Sequence, residues 1–210
     1  FWRDFSSGIN KSFNRIKKER LDPMIEWSQL EFLSSDIDTS LLFYPFSGPD
    51  FLHAFQLYPN ANEYILLALE EVGSIPDFKS LSKDSTENYI TNLNLFLRDI
   101  YLRSYFITGN MIDDIEANKV DGVLSSLYWF VKRTNHKIIS VEKITLDESG
   151  NIIEEKEIEE GWNSKGVDGV RFYLKSSENK IKKLIYFSCD ISDQAFLEKG
   201  GRPYYRNPHI

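Results

Sequence analysis

The run Leu184-Ile185-Tyr186-Phe187 constrains the fold of this chain more than any other stretch. Four consecutive apolar residues of strand-forming type leave no side for solvent, so a strand here needs both of its faces covered. Tyr64-Ile65-Leu66-Leu67-Ala68-Leu69 has the same character and predicts a second central strand. Val170, Phe172 and Leu174, in contrast, alternate with other residues as a half-buried strand requires. A sheet with interior strands needs covering elements, and helical patterns elsewhere in the chain supply them.

Residues 9–33 read as two helical pieces separated at Asp22-Pro23, with Asp22 as N-cap and Pro23 at the first helical position. Phe13 and Ile16 on the first piece, and Met24, Trp27 and Leu30 on the second, recur at helical spacing. Leu41-Leu42-Phe43-Tyr44 predicts a short buried strand ending at Pro45. Ser47-Gly48-Pro49-Asp50 predicts a helix start, with Ser47 as N-cap and Asp50 reaching back to it in a capping box. That helix carries Phe51, Leu52 and Phe55 inward and stops before Pro59. Asp84-Ser85-Thr86-Glu87 reads as a second capping box, opening a long helix to about residue 106 with Ile90, Leu93, Leu97, Ile100 and Tyr101 on one stripe. A further helix carries Val120, Val123, Leu124, Leu127, Phe130 and Val131 and ends near Thr134-Asn135. From His136 the pattern turns to strands. Residues 137–146 and 152–159 form one predicted hairpin, and residues 167–174 and 183–189 form another through the turn Ser176-Ser177-Glu178-Asn179. The expected architecture is one α+β domain over residues 1–210, helical over 1–134 and β-rich over 135–190. Its sheet is expected to be mostly antiparallel, made of the C-terminal hairpins and the buried N-terminal strands.

Charge and cysteine content narrow the function classes. With 25 Lys and Arg against 32 Asp and Glu the chain carries −7, which argues against a nucleic-acid partner. The single Cys189 excludes an internal disulfide, and no apolar run approaches the roughly 18 residues that cross a bilayer. No phosphate-binding glycine loop, nucleophile elbow or zinc-protease motif occurs.

Asp50 and His53 are the most chemical-looking pair, because side chains three apart share a helix face and a carboxylate orients an imidazole beside it. A hydrolase built on them would draw on Ser47, or on Glu70 or Asp190 as a second carboxylate. The structural alternative is that Ser47 and Asp50 simply cap a helix. His53, His136 and His209 are too scattered for a zinc site, and the acidic stretch 113–118 lacks the glycine and the terminal glutamate of a calcium loop. No cofactor or metal is expected. Aromatic and arginine residues gather near both ends: Trp2, Arg3 and Phe5 at one, Arg202, Tyr204, Tyr205 and Arg206 at the other. Protein interfaces are enriched in these residue types, which makes this group the candidate interaction surface.

Tyr44-Pro45-Phe46-Ser47-Gly48-Pro49-Asp50-Phe51-Leu52, then Tyr58-Pro59-Asn60-Ala61 and residues 64–70, resemble the signature of a family of exported bacterial proteins, many of them classed as lipoproteins. Tyr186-Phe187-Ser188 with Asp190-Ile191-Ser192 is similar to a later segment of that family. The resemblance covers residues 41–73 and 183–193. Glu71 stands where the family tends to have proline, and the family's further C-terminal portion has no counterpart here. The family has no established activity to transfer, so the resemblance implies location in the cell envelope, periplasm or outer membrane, with cytoplasmic placement as the alternative. The start at Phe1 and the loop-like residues 200–210 lead us to expect further sequence on both sides, including an upstream lipid anchor as the membrane attachment. The expected role is a non-catalytic subunit or binding partner of an envelope protein complex, its partners being other envelope proteins and not nucleic acid. An envelope hydrolase using Asp50 and His53, or a glycan- or peptide-binding protein, are the alternatives.

Overall fold

A computed structural model describes residues 1–32, 40–45, 50–102, 120–147, 149–154 and 166–190, with the side chains of residue 2 and residues 99–102 outside the description. Helix α1 (Trp2–Ile16) runs through a π-helical turn (Lys17–Leu21) directly into α2 (Asp22–Phe32). Strand β1 (Leu41–Tyr44), helix α3 (Phe51–Leu57) and strand β2 (Glu63–Ala68) follow. Next come α4 (Lys83–Leu102), α5 (Leu124–Arg133), β3 (Lys137–Leu146), β4 (Ile152–Glu154), β5 (Val167–Lys175) and β6 (Ile181–Ser188).

The six strands form one sheet in the order β1-β2-β6-β5-β3-β4. β1 runs parallel to β2 and β2 parallel to β6, whereas β6–β5, β5–β3 and β3–β4 are antiparallel. The α+β class is as expected, but the sheet is mixed. The physical reason lies in the connections: tight turns join β3 to β4 and β5 to β6, whereas β1 reaches β2 through α3. A helical crossover returns the chain to the same end of the sheet and so makes its strands parallel.

β6 is the strand its sequence demanded. Leu184, Ile185, Tyr186 and Phe187 are all buried, each contributing roughly 1.5–3 kcal/mol through apolar burial. On one face, the register aligns Leu42, Tyr64, Leu184 and Phe172 across four strands, with Leu66, Tyr186 and Val170 in the next row. This face holds the main core together with Phe51 and Leu52 of α3, Phe96 and Leu97 of α4, and Leu127, Phe130 and Val131 of α5. The other face carries a smaller cluster of Ile144, Val167, Ile185, Phe187 and Cys189, with Ile65 and Leu67 half-buried beside it. It also carries cross-strand ion pairs, Lys183 with Glu63 at 3.2 Å and Arg171 with Glu142 at 2.7 Å and with Glu154.

The expected break at Asp22-Pro23 does not occur. The π-helical turn ahead of Pro23 widens the helix where the proline ring would otherwise meet the carbonyl four residues back. Its extra residue also re-phases the buried stripe. Ile9, Phe13 and Ile16 are buried in α1, and the next buried residue is Leu21, five further on. Met24 and Ser28 continue that stripe, Ser28 donating from its hydroxyl to the Leu57 carbonyl at 2.7 Å. Trp27 and Leu30 fall off it and face solvent, 50% and 78% exposed, contrary to the inward face expected for them.

The cap of α4 also differs. The helix begins at Lys83, and the Ser82 hydroxyl accepts from the Ser85 N–H at 3.1 Å, which places Asp84 and Glu87 inside the first turns rather than in a capping box. Its continuation to residue 106 lies outside the described residues. α5 ends as its sequence predicted, Thr134 capping it and Asn135 following at φ 60°. Arg133 stacks over Trp129 and Phe13 and donates to the Asn10 side chain at 2.6 Å, tying α5 to α1.

Beyond β2, residues 71–74 lie along residues 121–124. Val123 N–H donates to Glu71, Leu124 N–H to Val72, and Ser74 N–H to Asp121. Gly73 (φ +66°) and Gly122 (φ +67°) let these backbones meet, since a Cβ on Gly73 would stand 1.9 Å from the Asp121 carbonyl oxygen. Gly150, in the β3–β4 turn, has φ +84° with open space around it. Gly150→Ala is therefore expected to cost about 1 kcal/mol, the backbone penalty alone. Gly73→Ala is expected to cost at least about 3 kcal/mol, because the two loop backbones must also separate. Urea unfolding midpoints of the two variants against the parent measure the difference.

Candidate functional site

Asp50 stands six residues beyond the carboxyl end of β1 and begins α3. It is the N-cap itself, with Oδ1 accepting the His53 N–H at 3.1 Å. The expected capping box, with Ser47 as cap, is thus displaced by three residues; Ser47 lies outside the described residues. The same Oδ1 is 2.6 Å from His53 Nδ1, and the Tyr44 hydroxyl approaches Oδ2 at 3.5 Å. Asp50 is buried, 2% exposed, while the His53 ring is 16% exposed. Burial pushes the Asp50 carboxyl above its ordinary range, and the bonds from His53 and Tyr44 oppose that rise. The same burial, reinforced by the Asp50 charge, pushes the Tyr44 phenol up. This is the half of a hydrolytic dyad in which a carboxylate orients an imidazole, and the carboxylate serves the helix end at the same time.

Glu70 follows β2 by two residues and is 2% exposed. Among the described residues neither carboxyl oxygen has a hydrogen-bond partner, and burial pushes the group up to about 7. Asp50 and His53 contribute nothing to that shift. The electrostatic neighbour of Glu70 is instead on β6: burial, and then the Glu70 charge, raise the phenol of Tyr186, whose hydroxyl donates to the Glu70 carbonyl at 2.6 Å. Cys189, just past β6, is buried, and its thiol is pushed up to about 11 by burial and then by Asp190. Such a thiol is protonated and unreactive at neutral pH. The parallel strands therefore bring Asp50, Glu70 and Asp190 to one end of the sheet, without coupling the first two.

Sequence reasoning assigned no role to His136 and Lys182, both buried on the core side. Thr134 Oγ1 donates to the Val131 carbonyl, so at 2.9 Å it accepts from His136 Nδ1–H. The ring is the neutral Nδ1–H tautomer, its Nε2 lone pair has no hydrogen-bond partner among the described residues, and the rings of Phe51 and Phe55 meet it edge-on. Burial, and then the charge of Lys182, lower the imidazole to about 4. Lys182 itself donates to the carbonyls of Pro59, at 3.0 Å, and Ala61. Lys182 falls one residue before the strand expected at 183–189, and its burial follows from β6 beginning at Ile181. Among the described residues no group of three or more His, Cys or carboxylate side chains stands together as a metal site.

Of the terminal aromatic and arginine group, Arg3 is exposed, while Phe5 is half-buried, packing on the core and stacking with Phe1 at 6.2 Å. Arg202, Tyr204, Tyr205 and Arg206 lie outside the described residues, as does the side chain of Trp2. Phe1, beside Trp2, is exposed, and further exposed apolar side chains are Trp27 and Leu30 on α2, Ile139 on β3, Ile181 on β6, and Leu41 and Phe43 on β1, an edge strand rather than the buried one expected.

Glu70 and His136 give stability opposite pH slopes. The folded state holds the Glu70 proton from about pH 4.5 to 7 while the unfolded chain has lost it, so this contribution is complete below 4.5 and disappears as pH rises through 7. His136, lowered from 6.5 to about 4, contributes stability above 6.5 that disappears as pH falls through 4. Each is worth about 3 kcal/mol, and they nearly cancel between pH 4.5 and 6.5. Relative to the parent, Glu70→Gln is expected to gain stability progressively as pH rises from 4.5 to 7, and His136→Gln to gain it as pH falls from 6.5 to 4. Denaturant titrations across this range read both. No family model, curated protein or solved structure matches the chain.

Proposed function

We propose that this protein is a non-catalytic subunit or binding partner of a bacterial cell-envelope complex, exported and held to the membrane by a lipid upstream of Phe1. The observation that carries the binding role is the set of outward apolar side chains on α2 and β1: Trp27, Leu30, Leu41 and Phe43 are each at least half exposed. Large aromatic and aliphatic groups held on ordered elements are what protein interfaces bury, and they lose little entropy in doing so. The occupied state of Asp50, which accepts from a backbone N–H and an imidazole at once, supports a structural use of that corner. The envelope placement rests on the resemblance carried by residues 44–52. No helix among the described residues is long and apolar enough to cross a membrane, so attachment in this reading falls to the lipid.

The 2.6 Å contact between Asp50 and His53 favours a second reading, an envelope hydrolase in which His53 acts as general base.

Full-length protein expressed from its own locus is expected to sediment with membranes, to require detergent for release, and to migrate within a larger assembly on native gels. Trp27→Glu with Leu30→Glu is expected to release it from the assembly while leaving membrane attachment and unfolding midpoint unchanged. His53→Gln is expected to leave the assembly intact. Recovery of the wild type as a monomer not associated with membranes overturns the proposal. Loss of the cellular phenotype in His53→Gln with assembly retained transfers support to the hydrolase.

A further inference from the structure

The two edges of the sheet are protected unequally. β4 is three residues long and leads into Glu154-Glu155-Lys156-Glu157-Ile158-Glu159-Glu160, a charged stretch of the kind that discourages strand addition. β1, at the opposite edge, is Leu41-Leu42-Phe43-Tyr44, with no charge and no proline.

The direction of the β1 backbone follows from its bonds to β2. The Ser40 carbonyl accepts from the N–H groups of Asn62 and Glu63, both at 3.1 Å, and Leu41 is in register with Glu63. In a strand the peptide groups of successive residues point to alternate sides. Ser40 and Leu42 therefore face β2, and the N–H and C=O of Leu41 and Phe43 face away from the sheet. No described residue bonds to these four groups. The side chains of the same two residues are 52% and 56% exposed, on the sheet face opposite the main core.

We propose that β1 pairs antiparallel with β1 of a second copy of this chain, about a twofold axis passing at Leu42. The register is self-complementary. With Leu42 opposite its own equivalent, Leu41 meets the partner's Phe43 and Phe43 meets the partner's Leu41, each pair exchanging both of its hydrogen bonds. Four outward backbone groups on each copy are satisfied at once. The exposed side chains then form two aliphatic–aromatic cross-strand pairs on one face. Charge favours this occupant as well. On a chain of −7, two copies meet with least repulsion along an uncharged strand, and the nearest acidic neighbour in that row, Glu63, is already paired with Lys183. The dimer joins two six-stranded sheets into one of twelve strands. The inference does not need the envelope placement, but it assigns Leu41 and Phe43, two of the four side chains named for binding above, to the second copy and leaves Trp27 and Leu30 for another partner.

Sedimentation of the full chain over a wide concentration range tests it. The wild type is expected to show twice the monomer mass. In Phe43→Pro the lost N–H is one that points outward, so β1 keeps its bonds to β2; this variant is expected to be monomeric with an unchanged circular dichroism spectrum. A mixture of Leu41→Cys and Phe43→Cys chains is expected to give a mixed disulfide under mild oxidation, because hydrogen-bonded opposite residues lie within disulfide reach. A wild type that stays monomeric throughout, including one whose β1 edge takes up a strand from another protein instead, overturns the proposal. So does a dimer that survives in folded Phe43→Pro, or one whose mixed cysteine chains do not cross-link.

Discussion

β6 determines how the rest of the chain is placed. With Leu184 to Phe187 buried on both sides, it must have a neighbour on each edge and a cover on each face. It meets these demands by taking two unlike neighbours, β2 parallel and β5 antiparallel, and the sheet changes character at that seam. On the β2 side the chain passes from β1 to β2 through a helix, whereas on the β5 side tight turns join β3 to β4 and β5 to β6. The carboxyl ends of β1, β2 and β6 consequently share one end of the sheet, the place where α/β folds commonly hold their ligands. Here that end carries a capping aspartate bonded to a histidine, an enclosed glutamic acid and a protonated thiol, each positioned by a different part of the fold.

Much of the architecture was legible because it follows from local patterns. The apolar run of β6, the alternation of β5 and the turn chemistry of both hairpins need no tertiary information. Strand direction does, and the parallel pairing of β2 with β6 depends on partners 120 residues apart that no local pattern links. The phase of α2 was misread for a different reason. A buried stripe usually shows itself as apolar residues, but here it passes through Ser28, whose hydroxyl is satisfied by a carbonyl of α3, and it is shifted by one residue in the π-helical turn. Trp27 and Leu30 look inward on an ideal helix and turn outward on this one.

The site was legible in part. The spacing of Asp50 and His53 placed them together, and the cap was foreseen in kind though attributed to Ser47. The closeness of Tyr44 to Asp50 depends on how the chain returns between them, which no spacing reveals. Glu70 was noticed as a carboxylate at a strand end, but its enclosure arises from packing between the loop after β2 and the end of β6. His136 and Lys182 are further cases: a polar residue becomes informative only once its surroundings are known to be apolar.

The 120-residue separation between Glu63 and Lys183 has a consequence for biosynthesis. As the nascent chain leaves the ribosome, β1 and β2 are made early, and the strand that must lie between β2 and β5 is the last of the described six to emerge. The order of synthesis thus runs against the order in space. Until residue 188 is available, Tyr64 and Leu66 lack the neighbour that completes their row, and long-range pairing of this kind is a slow step of folding. A polypeptide built this way keeps an open edge on β2 until the segment carrying residues 181–188 has been made.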